Sequence, residues 1–419
     1  MKTSTLTIAC ALGILGTFFI IRPSPSLLAQ GALTPPGAPA PTMKTLNQIE
    51  PRTPISALPF TISAPGSYYL TGNLTATADG TAITVSADYV TIDLNGFTLA
   101  GGATGTRTGI QAPAAQKGLC VRNGTLTGWT NHGINGVQTT GGLYENLRLT
   151  ANSGSPALRS GTAASVRACV ATGNTAFAAF AIALSEGSSI SDCTVSSNGK
   201  DGISATINCT ITNCTASGNG TGISSGTGIF TAGNCTVLNC TASGNSDVGL
   251  RVAGNGCTIA HCTASSNNGP WGIQMDDEGT ITDCTAMGNR DGGMQAGTGC
   301  TISRCTVAKN GNEGLWINNR CHVNGCTFET NNLGNIAERP GLSINGGGNR
   351  IDGNHFANNG FAGLKAYFAG NLIIRNTFSG AQYIVTNGNT VGPTVDLSAG
   401  VGTVNTIPAG ANPWANIMF

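Results

Sequence analysis

Residues 208–223 read NCTITNCTASGNGTGI, and residues 234–250 read NCTVLNCTASGNSDVGL. In both, two cysteines lie five apart, each preceded by Asn and followed by Thr. Laid along the chain, the unit gives a ladder at its second cysteine. The rungs are Thr125, Asn146, Cys169, Cys193, Cys214, Cys240, Cys262, Cys284, Cys305, Cys326, Asn354 and Asn376. Successive rungs are 21 to 28 residues apart. Five residues before each rung runs a second ladder, which includes Cys209, Cys235, Cys257, Gly279, Cys300 and Cys321. A period of this size marks a solenoid, in which each unit buries its apolar face only against its neighbours.

Each unit divides into three short pieces. Cys209-Thr-Ile211 alternates small, polar and apolar, as a half-buried strand does. Thr212-Asn213 turns the chain, and Cys214-Thr-Ala216 is a second strand. Ser217 to Gly220 turns again, and Gly222-Ile223 is expected to begin a third strand. Three strands per turn of about 22 residues, stacked in register, make a parallel β-helix with apolar positions lining its bore. A leucine-rich repeat has a similar period, but several Leu per unit are absent here.

Composition agrees. Of 419 residues 61 are Gly and 9% are charged, so helical propensity is low and turn formers abound. Formal charge is +1, or −1 without Lys2 and Arg22, which gives no electrostatic case for nucleic acid or an anionic membrane. The start, MKTSTLTIACALGILGTFFIIRPSPSLLAQGA, has the positive end and apolar core of a secretory leader, with a cut expected near Ala29 or Gln30. The apolar run Leu6–Ile21 is short for a membrane anchor, and no later segment is long enough to span. The expected organisation is a signal peptide at 1–30, a Pro-rich linker at 31–42, a cap and opening coils at 43–100, the β-helix at 101–390 and a C-terminal cap or tail at 391–419. The protein is expected to be secreted, periplasmic or in the cell envelope, and monomeric.

With the repeat, GSYYLTGNL at 66–74 and YVTIDLNGFTLAG at 89–101, the chain resembles the right-handed parallel β-helix proteins of the pectate-lyase-like superfamily over roughly residues 60–390. The resemblance implies an all-β, right-handed, single-stranded parallel β-helix. It does not imply one reaction, because lyases, hydrolases, epimerases, binding proteins and adhesins share this fold. In the polygalacturonase-like branch an Asp-Asp pair accompanies Asn-x-Asp, Gly-His-Gly and Arg-x-Lys motifs; here Asp276-Asp277 stands without them.

The five complete C-x4-C pairs raise metal binding and disulfides. The same two positions elsewhere hold Ser, Gly, Ala, Thr or Asn, which is a demand for small size and not for thiolate. Coils about 4.8 Å apart are within disulfide reach, but stacked side chains point the same way, which strains a bridge. The reading is of mostly free, buried cysteines acting as small hydrophobes. In the last coils Asn349, Asn354, Asn371 and Asn376 replace them, and stacked Asn side chains can hydrogen-bond up a ladder.

Function is sought on the outward residues of the third strand. That stripe holds Arg251, Gln274, Gln295, Trp316 and Lys365, with Asp276, Asn318 and Tyr367 two residues further on in their coils. Trp can stack on a sugar face, while amides and guanidinium can bond hydroxyls or carboxylates. The candidate substrate-binding set is therefore Arg251, Gln274, Gln295, Trp316, Asn318 and Lys365; an ordinary solvated sheet face is the alternative. Asp276, Asp277, Arg251, Lys365 and Tyr367 are candidates for catalysis by a lyase, hydrolase or epimerase, with an Arg251–Asp276 salt bridge the bland alternative. Asp276, Asp277 and Glu278 are the candidate Ca2+ set, weighed against a solvated turn. His132 is a general base or a corner filler. Polysaccharide recognition leads, with a non-catalytic surface, adhesion or scaffold solenoid as the second reading.

Overall fold

The computed structural model describes residues 50–419 except 103–104, 155, 176–179, 222–225, 381–382 and 399–411. The stretches assigned to leader and linker lie outside the described residues. No described helix is long and apolar enough to cross a membrane.

The described chain is an all-β parallel solenoid of about 15 turns. Thr210–Thr212 and Thr215–Ser217 are the first and second strands of one coil, and each pairs in parallel with its counterpart a turn away. The third strands form a sheet of fifteen described strands, from Phe60–Ile62 to Tyr383–Val385. The first- and second-strand stripes join into one sheet, because Cys120–Thr127 and Leu143–Thr150 run through both positions as continuous strands, turning at left-handed Asn123 and Asn146. The last strand, Asn416–Met418, returns to pair with Thr377–Ser379 and Thr394–Asp396.

The bore is filled by one inward residue from each short first and second strand and two from each third strand, such as Leu250 and Val252, as the alternation predicts. Ile211, Ala216, Ile203 and Ile273 are all fully buried. Above Cys326 the second-strand column switches from small residues to Phe328, Phe356 and Phe378, whose rings stack 4.9 and 5.0 Å apart. Cys209 and Cys214 are 1% exposed and sit on the inside of the corners, with their thiols donating to backbone carbonyls such as Ser185 O and Thr212 O. Burial pushes the thiols of Cys120 and Cys257 above the ordinary range, which suits a space-filling role.

The asparagines divide into two kinds. Asn208 and Asn213 hold left-handed corners at φ 60° and 52°, a backbone region Asn tolerates well. Asn219 faces inward. It belongs to a buried ladder running Asn152, Asn174, Asn198, Asn219, Asn245, Asn267, Asn289, Asn310, Asn331 and Asn359. Within it each Oδ1 accepts from both the side-chain and the backbone N–H of the rung before, at 2.9 and 3.1 Å for Asn245 on Asn267. The expected end ladders are also present, through Asn349–Asn371 and Asn354–Asn376.

From Gly202 to Gly341 the Gly before the inward third-strand residue packs on this ladder. A Cβ on Gly249 would lie 2.5 Å from Asn267 Nδ2 and 2.7 Å from Gly272 O. Sequence alone misplaced one such strand. The third strand of the opening coil is Ile229–Thr231, where Ile229 pairs with Ile203 and Leu250; Gly222-Ile223, expected to begin it, lies outside the described residues. Gly228, which precedes Ile229, packs against Asn245. The slot before Arg251 is therefore held by Phe230.

Candidate functional site

The outer face of the third-strand sheet carries an in-register column. Ser204, Phe230, Arg251, Gln274, Gln295, Trp316, Ser343 and Lys365 follow one another a single coil apart. The proposed binding residues Arg251, Gln274, Gln295, Trp316 and Lys365 thus share one stripe. Asn318 lies at its margin and accepts from Asn319 Nδ2 at 3.0 Å.

Two depressions open at the lower end. One of about 310 Å³ lies between Arg159, Phe180 and Ser204, and one of about 250 Å³ between Phe180, Phe230, Asp201, Asp247 and Arg251. The Arg251 guanidinium sits 5.9 Å from the Phe230 ring centroid. Burial raises the Asp201 carboxyl above the usual carboxylate range, against the hydrogen bond it accepts from Thr227 N, 2.6 Å away. Phe180, Asp201, Phe230 and Asp247 escaped the sequence reading. The Gly228-Ile229 dipeptide was the signal that could have placed Phe230.

Several expectations are corrected. Arg251 and Asp276 form no salt bridge among the described residues. Asp276 Oδ2 instead accepts from Gly254 N at 3.1 Å, and Asp277 Oδ1 accepts from Thr298 N at 2.6 Å. Glu278 Oε2 accepts from Asn255 Nδ2 at 3.4 Å. Asp276 and Glu278 reach to the coil below and Asp277 to the coil above, so the three do not converge as a Ca2+ set. Among the described residues no group of three His, Cys, Asp or Glu is arranged to hold a metal. The acidic run is a corner in which Asp276 and Asp277 accept from backbone N–H groups and Glu278 from the Asn255 side chain.

Lys365 and Tyr367 are also committed elsewhere. The 28-residue coil between Cys326 and Asn354 places extra residues beside the stripe, and Glu338 in that insertion lies 3.1 Å from Lys365 Nζ. Tyr367 donates its hydroxyl to Glu338 O at 2.7 Å, and Lys365 Nζ lies 4.3 Å from the Tyr367 ring centroid. The insertion is tied down further by Arg339 on buried Glu313, at 2.7 Å. These contacts make that end of the stripe a braced wall. His132 begins the third strand His132–Asn135, with Nδ1 3.2 Å from Pro156 O; burial lowers its imidazole pKa, which fits a corner filler.

The family described as right handed beta helix region matches residues 108–264, 180–301, 224–339 and 293–391. No curated protein matches the chain in sequence. Among solved structures, the A-module of the Azotobacter vinelandii mannuronan C-5 epimerase AlgE4 is 14% identical, with 78% of this chain and 90% of that one covered and a TM-score of 0.45. Dettilon tailspike protein is 14% identical, with coverages of 76% and 62% and a TM-score of 0.40. The Agl-KA catalytic domain is 13% identical, with coverages of 68% and 62% and a TM-score of 0.43. The matched segments together run from residue 108 to 391, well over half of the chain, and the protein belongs to the right-handed β-helix family.

Proposed function

We propose that the outer face of the third-strand sheet is a saccharide-binding face and that the protein recognises an extracellular or envelope polysaccharide as a monomer. The observation that carries this is the uninterrupted column Phe230, Arg251, Gln274, Gln295 and Trp316. The rungs are about 4.8 Å apart, so a polymer lying along the stack meets a new polar or aromatic group at each coil. The Trp316 ring offers an apolar platform to sugar C–H groups, and Gln274 and Gln295 each offer both donors and acceptors to hydroxyls. Arg251 adds a guanidinium for a hydroxyl or a uronate carboxylate.

Binding without turnover is favoured by the acidic corner, where Asp276 and Asp277 are spent on backbone N–H groups. Should the protein cleave or epimerise its ligand, the depression holding Asp201 and Asp247 is where the chemistry would centre. Titration of a panel of neutral and uronate polysaccharides tests the reading, with absorbance of unsaturated product followed in parallel. At least one polymer should bind, and Trp316→Ala should weaken it about tenfold or more, the scale of an aromatic anchor. Failure of every polymer to bind would leave the scaffold reading in its place. Export is part of the proposal, and N-terminal sequencing of the mature protein should begin near Gly31.

A further inference from the structure

Between its first and second strands each coil turns at one residue with a left-handed backbone. In successive coils this residue is His261, Asp283, Arg304, Gly325, Gly353 and Arg375. Two neighbouring levels therefore lack the side chain that the levels below and above them carry. With coils about 4.8 Å apart, the gap between Arg304 and Arg375 spans three coil steps. It opens as a depression of about 790 Å³ on a different face from the third-strand sheet. A Cβ at Gly353 would meet nothing within 4 Å.

The floor of this notch is chemically unfinished. His322 Nε2 and Asn324 Oδ1 are both buried and have no hydrogen-bond partner among the described residues. His322 lies between Thr301 and Arg350, and Asn324 between Ser303 and Asp352. The walls are cationic. Arg304 spends Nε and Nη2 on Asp283 and Thr282, while Arg350 and Arg375 spend the same two nitrogens on Asp352. That leaves Nη1 of all three without a partner among the described residues. Three guanidinium groups face two carboxylates, both already paired.

We propose that this notch binds a hydroxylated oxyanion, a sugar bearing a carboxylate or a sulfate. The oxyanion takes the spare Nη1 donors, and rotation of the His322 and Asn324 side chains, whose Nε2 and Oδ1 are closed to solvent here, lets one ligand hydroxyl accept from His322 Nε2–H while donating to Asn324 Oδ1. Guanidinium suits either anion, because its fork matches two oxygens at once. The site is independent of the saccharide face.

Calorimetric titration of the full-length chain tests it with four probes: a glucuronate oligosaccharide, a sulfated oligosaccharide, a neutral oligosaccharide of equal length, and sodium sulfate. One acidic oligosaccharide should bind at least tenfold more tightly than the neutral one and than sodium sulfate, and its affinity should fall as salt rises. The stronger acidic probe identifies the anion. Gly353→Glu fills the notch with a carboxylate at a corner backbone that Asp283 already adopts, and it should weaken binding at least tenfold. Arg304→Gln should weaken it in the same direction. The 15N resonances of His322 should shift on binding. Equal affinity for neutral and acidic probes, tighter binding of sodium sulfate, or full affinity in both Gly353→Glu and Arg304→Gln would overturn the proposal.

Discussion

Replacing Asn267 by Ala should be among the most damaging single changes in the chain, although it removes only a small polar side chain. Asn267 Nδ2 donates to Ala242 O at 3.1 Å and to Asn289 Oδ1 at 3.0 Å. Its Oδ1 accepts from Asn245 N at 3.1 Å and from Asn245 Nδ2 at 2.9 Å. The substitution deletes all four bonds. Asn289 Oδ1 keeps its bond from Asn267 N, but two donors on Asn245 are left buried and unmatched. At about 1–3 kcal/mol for each unsatisfied buried group, the expected loss is about 2–6 kcal/mol. Asn268 supplies the internal control, since it is exposed and next in sequence. Asn268→Ala should fall within about 0.5 kcal/mol of the parent. Urea unfolding followed by circular dichroism measures both, comparing midpoints at equal slope. Equal midpoints for the two variants would refute the argument that the buried ladder holds the corners together.

Three further outcomes follow from the same geometry. Gly249→Ala should lower stability by about 1–3 kcal/mol, the usual cost of overpacking, because its Cβ would press on Asn267 Nδ2 and Gly272 O; an unchanged denaturation midpoint would contradict that contact. Asp201→Asn should raise the melting temperature at neutral pH. The folded-state pKa of Asp201 is raised, so its unfavourable contribution is absent below the ordinary carboxylate pKa, grows as pH rises from there to the raised folded-state value, and is constant above it. The substitution should flatten this fall, and a parallel pH–stability curve for variant and parent would exclude the effect. A thiol reagent should find the thirteen buried cysteines protected in the folded chain and reactive once it is denatured; few reactive thiols after denaturation would mean disulfides in place of small interior fillers.

Much of the architecture was legible because a solenoid repeats its errors as well as its signals. The five C-x4-C pairs and the substitution of Ser, Gly, Ala and Asn at their positions located two inward columns of the bore from Cys169 onward. The first two rungs are instead Gly124 and Leu147, one residue before the expected Thr125 and one after the expected Asn146. The inner Asn ladder was harder to see. Asn213 and Asn219 look alike in sequence, yet one holds a left-handed corner near the surface and the other is 1% exposed. Only the direction of the side chain separates them, and the corner geometry sets that direction. Phe230 was missed because the coil offers two Gly-Ile dipeptides in sequence, and the later one, with Gly228 packed on Asn245, carries the third strand. The third-strand stripe was predicted in kind, whereas the roles of Asp276, Asp277 and Lys365 depend on the coils above and below. The notch over Gly325 and Gly353 is invisible to a search for functional residues, since its shape comes from two missing side chains.

The central claim is that recognition runs along the outer face of the third-strand sheet. Affinity electrophoresis in gels cast with the polysaccharide panel tests it most directly, by comparing Gln274→Ala, Gln295→Ala and Trp316→Ala with Thr258→Ala and Thr280→Ala on the first-strand stripe. A polymer should retard the parent and both threonine variants alike, while the three third-strand variants migrate faster toward their position in a plain gel. Equal retardation of all five variants, or retardation by no polymer, would contradict the account.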